Sequence, residues 1–188
     1  MRMSHRLAEY IQRLDRIVFP NSISPVTIFE CTPEELKRHM KEHKPSGSIA
    51  ASELIIDTKA LAKFLVEGDQ TSGPLVDALA QHLRQRYEKG EIPFAVYLFS
   101  SVNFDLYLIF DYGDVMKKLI QRESKIGSLT EEEYLIVTAA HEVRHKVQNR
   151  ILALPKKVHE AEMKTISTAV LKIWRQYHDL QKIAELIR

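Results

Sequence analysis

The chain has 188 residues, 45% apolar and 28% charged, a length and balance that suit one domain with an ordinary hydrophobic core. Its net charge of +2 argues against broad electrostatic affinity for nucleic acid. No apolar run reaches the length of a membrane span and no signal peptide is read, so an integral membrane protein is not expected.

Residues 1–20 read as an N-terminal amphipathic helix, and residues 21–188 as the domain it accompanies. Leu7, Ile11, Leu14 and Val18 recur on one side of Met1 to Val18, with arginines around them. Docking of this stripe on the domain is the favoured reading, ahead of contact with a membrane surface or a partner. Asn21 to Pro25 is a break, and Val26 to Glu30 a short strand. Cys31 is the only cysteine, so an internal disulfide is excluded; a buried thiol in a reducing, cytoplasmic setting fits it. Thr32-Pro33-Glu34-Glu35 opens a helix with an N-cap and Pro at its first position. A loop over 44–48, a strand at Leu54 to Ile56, and helices at Lys59 to Val66 and Leu75 to Lys89 follow.

Phe94 to Phe99 is an apolar strand. Val102, Phe104, Leu106, Leu108 and Phe110 then alternate with Asn103, Asp105, Tyr107, Ile109 and Asp111, the strongest strand pattern in the chain. The two strands can form a hairpin across Ser100-Ser101. Asp111-Tyr112-Gly113-Asp114 lacks the length and closing Glu of a calcium loop and reads as a turn.

Thr130 before Glu131, Glu132 and Glu133 offers an N-cap, a capping box through Glu133 and acids at the positive end of a helix dipole. No Gly or Pro then intervenes before Pro155, which predicts a helix to Leu154. Ile136, Ala140, Val143, Val147 and Ile151 form its apolar stripe. His141 and His145 lie on another face, with Tyr134, Thr138, Gln148 and Leu152.

His141-Glu142-Val143-Arg144-His145 has the H-E-x-x-H form. Histidines at i and i+4 share a helix face and can bind one zinc ion, while the intervening glutamate stands where it can act on a water at the open position. A hydrolytic zinc site needs a third protein ligand. A third histidine from the longer H-E-x-x-H-x-x-G-x-x-H motif is excluded, because Gln148 and Ile151 occupy those positions. His159, Glu160 and Glu162 are the next candidates, in a segment that reads as helical from Pro155 to the end. Ile166, Ala169, Val170, Ile173, Tyr177, Leu180, Ile183, Ala184 and Ile187 define one face of it, and Glu162 falls near the middle of that face. A carboxylate there must be neutralised, by a metal or by a basic residue. Glu162 is therefore the preferred ligand and Glu160 the fallback. The near-3.5 spacing of the same stripe lets it pack along the domain or form a homodimer seam.

H-E-x-x-H on one helix and a glutamate on the next resembles the gluzincin metallopeptidases, especially the compact single-domain forms and the ImmA/IrrE-like peptidase domains. In many of those the ligand glutamate heads an E-x-x-A-[DN]-x-x-A run. Here Glu162 is followed by Thr165 and Ala169 at the Ala positions and by Ile166 in place of Asp or Asn. The resemblance spans about residues 130–170. It implies Zn²⁺ held by His141, His145 and Glu162, with Glu142 as general base and peptide or protein as substrate. It also implies an edge strand that pairs with extended substrate, for which 102–110 is the candidate. The oxyanion-stabilising residue is left open, with Tyr177 and His178 on the last helix. The expected fold is α+β: a zincin-like single domain with a small sheet on helices, the H-E-x-x-H helix, and a long C-terminal helix. The rival expectation is a catalytically inactive zincin-like regulatory or interaction module.

Overall fold

A computed structural model describes residues 1–30, 95–101, 104–111 and 113–188. The expectations for Cys31, for the 32–35 helix start, and for the strand and helices between 54 and 89 lie outside these residues. Among the described residues the fold is mixed α/β. In chain order the elements are α1 (Met3–Val18), β1 (Val26–Glu30), β2 (Ala95–Ser101), β3 (Phe104–Asp111), α2 (Asp114–Ile126), α3 (Glu131–Arg150), a single turn α4 (Lys156–His159), α5 (Met163–Tyr177) and α6 (Leu180–Ile187).

The sheet has the order β1-β3-β2. β2 and β3 pair antiparallel, with Tyr97 opposite Tyr107, and β1 runs parallel to β3, with Val26 opposite Tyr107. This corrects one expectation: among the described residues the 102–110 strand is central rather than an edge, so it has no free side for an extended peptide. Every residue from Asp105 to Asp111 is buried. The polar members are absorbed by partners: Asp105 accepts from Tyr97, Ser24 and Arg150, and Asp111 accepts from Ser4 at 2.6 Å and the Gly113 amide at 2.8 Å. Gly113 turns the chain into α2 at φ 58°, in the left-handed region that favours glycine.

Leu7, Ile11, Leu14 and Val18 of α1 are buried in the same core as α3, α6 and the sheet. One polar cluster fastens α1 to α3. Asp15 and Lys146 have fully buried side chains and pair at 2.8 Å. Asp15 also accepts from the Tyr107 hydroxyl at 2.7 Å and the Ser24 amide at 2.8 Å. Lys146 also donates to the Ser22 carbonyl and stands 4.2 Å above the Phe19 ring. The buried charge is thus matched on every side, as burial demands.

The long C-terminal helix is not continuous. After α4 the chain makes a turn at Glu160 to Glu162, and α5 ends where His178 adopts the left-handed conformation (φ 50°). Asp179 then caps α6, its carboxylate accepting from the Gln181 amide at 2.8 Å. The break folds α6 back, so Val170, Leu180, Ile183, Ala184 and Ile187 join the chain's own core. No described helix is long and apolar enough to cross a membrane.

Candidate metal centre

Helix α3 carries the motif, and its start is fixed locally. The Thr130 hydroxyl accepts from the Glu133 amide at 3.1 Å, and Glu133 accepts from the Thr130 amide at 2.9 Å. Arg175 of α5 clamps Glu133 through Nε at 2.7 Å. The guanidinium, followed by the Thr130 amide, holds the Glu133 carboxyl below the usual range. Ile136, Ala140, Val143 and Val147 point into the core as the periodicity predicts. Ile151 does not: the helix ends at Arg150 and this side chain is 50% exposed.

With that face packed inward, His141 and His145 emerge one turn apart, rings at 78° with centroids separated by 4.6 Å. Their Nε2 atoms face each other at 3.0 Å. Glu160 supplies the third group, with Oε1 lying 3.1 Å from His145 Nε2 and 3.8 Å from His141 Nε2. The three donor atoms all fall within 4.8 Å of one another. A tetrahedral zinc ion with ligand bonds near 2.0–2.1 Å separates its donors by roughly 3.3 Å. The separations within the two-nitrogen, one-oxygen set, 3.0, 3.1 and 3.8 Å, bracket that spacing.

The carboxylate that reaches the histidines is therefore Glu160, the fallback, and not Glu162. The preference for Glu162 assumed one helix from Pro155 onward. The turn at Glu160 to Glu162 breaks that phase and swings Glu160 toward α3. Glu162 is neutralised instead by Arg144, whose Nε donates to it at 2.8 Å, and by the Gln148 amide. These donors, Arg144 foremost, keep its carboxyl below the usual range. The loop that delivers Glu160 is stapled to α3 at several points. The Leu154 amide donates to the Gln148 carbonyl at 2.9 Å, and Gln148 Nε2 donates to the His159 carbonyl at 2.9 Å. His159 Nε2 lies 2.9 Å from the Leu154 carbonyl, and its ring stacks beside His145 at 5.8 Å.

The electrostatics favour a cation. Hydrogen bonds to His141 and His145 hold the Glu160 carboxyl far below its ordinary range despite partial burial. Burial pushes the His145 imidazole down, but its bond to Glu160, the charges of Glu142 and Glu160, and its bond to Gln148 outweigh this and raise it. Glu142 is only 7% exposed, and its Oε2 accepts from the Tyr97 amide of β2 at 2.8 Å. Tyr177 and His178 are elsewhere: Tyr177 lies under Lys182, and His178 packs beside Trp174. Arg144, Gln148 and the Tyr97 amide were not singled out as site groups by sequence. The first two were legible as polar residues within a turn of His145, but an amide on a strand carries no sequence signal.

Comparison of the chain with family models, with curated proteins and with solved structures found no match.

Proposed function

We propose that the chain is a zinc-dependent metallopeptidase of gluzincin type, with a zincin-like fold, in which His141, His145 and Glu160 hold the ion. The convergence of these three donor atoms at near-tetrahedral spacing carries the reading. When bound, zinc would polarise a peptide carbonyl and acidify a water ligand to a pKa of about 7. The residues of the chain do the rest. Glu142 is the one carboxylate next in sequence to His141 and within electrostatic reach of His145, and it would take and return the proton as general base. The Tyr97 amide fixes the plane of that carboxylate. His141 and His145 are held on a helix whose other faces are locked in the core, so the donors keep their spacing without reorganisation. A cytoplasmic setting accords with a chain that has one cysteine.

A second reading is favoured by one observation. Glu142 is buried and already engaged by Tyr97, as befits a structural carboxylate in a zinc-holding module without peptidase activity. Glu142→Gln separates the two. Under the peptidase reading it abolishes hydrolysis of an unstructured protein such as casein while zinc content stays at one per chain. A zinc-loaded wild type with no hydrolysis across a broad peptide library would leave the module reading.

A further inference from the structure

Gln148 is fully buried beside the cluster. Its amide nitrogen faces two acceptors, the His159 carbonyl at 2.9 Å and Oε1 of Glu162. Neither can donate: one is a backbone carbonyl, and the other oxygen already accepts from the Arg144 guanidinium at 2.8 Å, so the nitrogen must occupy that position and the amide oxygen must face His145. An amide oxygen only accepts. Nδ1 of His145, 3.0 Å away, therefore carries the proton. In the neutral ring the lone pair then lies on Nε2, the atom that faces His141 and Glu160.

From this we infer that Gln148 and Glu162 are positioning residues that lock His145 in the tautomer able to bind a cation through Nε2. The inference rests on the metal-site reading above and assigns roles to residues which that reading leaves aside. Without the Gln148 oxygen the proton is free to move to Nε2, where Glu160 accepts it and the lone pair is lost to a metal. Arg144 extends the chain outward. It donates through Nε to Glu162 at 2.8 Å and through Nη1 to the Ile187 carbonyl at 3.0 Å. Each link fixes the donor or acceptor sense of the next, from the end of α6 to the imidazole. Groups behind a metal-binding histidine commonly set its tautomer and basicity in this way. Glu162 thus acts one step behind the ligand rather than as the ligand.

The test uses full-length protein with ¹⁵N-labelled histidine. Long-range ¹H–¹⁵N correlation on the metal-free form at alkaline pH reads the His145 tautomer, and zinc titration against a competing chelator reads affinity. Wild type should show Nδ1–H. Gln148→Leu should shift toward Nε2–H and bind zinc roughly tenfold to a hundredfold more weakly. Gln148→Met fills nearly the same space without an amide oxygen and should behave as Gln148→Leu does, a result not expected if Gln148 merely fills space. An Nε2–H tautomer in wild type overturns the inference, and it can be read even if every variant fails to fold. Equal zinc affinity in wild type and folded Gln148→Leu overturns the positioning role but leaves the metal site standing. Wild type with Nδ1–H and no zinc uptake overturns the metal site, and the positioning role with it.

Discussion

Replacement of Asp15 by Ala tests what holds the motif helix against the rest of the molecule. Asp15 and Lys146 are fully buried, and Asp15 is also the acceptor for the Tyr107 hydroxyl and the Ser24 amide. Asp15→Ala leaves an ammonium in the core with, among the described residues, the Ser22 carbonyl and the Phe19 and Tyr107 rings as company. Breaking a buried pair by removing one partner costs about 3–5 kcal/mol. Each orphaned buried donor costs about 1–3 kcal/mol, though these terms overlap. A loss of about 5 kcal/mol is expected. With an m-value of about 2 kcal/mol/M, the urea midpoint should fall by about 2.5 M. Lys146→Met keeps the volume, removes the charge and leaves Asp15 with two donors. It should cost about 2 kcal/mol, since two charge-accepting bonds remain. The double variant should be at least about 2 kcal/mol more stable than the sum of the singles, because the stranded charge is gone. Equilibrium urea unfolding followed by circular dichroism measures all three. An Asp15→Ala loss below about 1 kcal/mol at unchanged m would refute the reasoning, and so would strict additivity.

Elemental analysis should find one zinc per chain in wild type, loss of it in Glu160→Ala, and full stoichiometry at saturating metal in Glu162→Ala; the reverse pattern would return the ligand role to Glu162. A pH effect follows from the start of α3. The Glu133 carboxyl is held low by Arg175 and the Thr130 amide, so its contribution to stability is present above the unfolded carboxyl range and is lost as pH falls through the lower folded value. Unfolding midpoints of wild type and Glu133→Gln should therefore differ near neutrality and converge in strong acid. A gap that persists there would mean the stabilisation does not depend on the charge.

Sequence pattern reached the site as far as local periodicity can. The capping box at Thr130, the buried stripe from Ile136 to Val147, and the shared face of His141 and His145 all follow from helix geometry, which needs no tertiary information. α2 went unassigned, although Met116, Leu119 and Ile120 at i, i+3 and i+4 were a usable signal. The position of the carboxylate nearest the histidines was not legible for a definite reason: helical phase carried back from Ile166 through Glu162 to Glu160 crosses the turn at 160–162, where the helix is interrupted. The break at His178 had a local clue in the capping residue Asp179, which the even spacing of apolar residues obscured. Pairings between distant segments, such as β1 with β3 or Lys146 with Asp15, depend on contacts that no window of sequence contains. Arg144 illustrates the same limit: a basic residue inside the motif reads as solvated, yet it neutralises Glu162 and meets the end of α6.

The bond from the Tyr97 amide to Glu142 also bears on self-association. Among the described residues β2 is an outer strand, and outer strands offer unpaired amides to which another chain can add. A carboxylate from α3 plugs one of those amides with charge. Removal of the side chain would expose a sticky edge and bury a vacancy at once, whereas glutamine keeps an acceptor in place. Glutamate next to His141 thereby serves an amide of an outer strand, a structural role that asks nothing of catalysis.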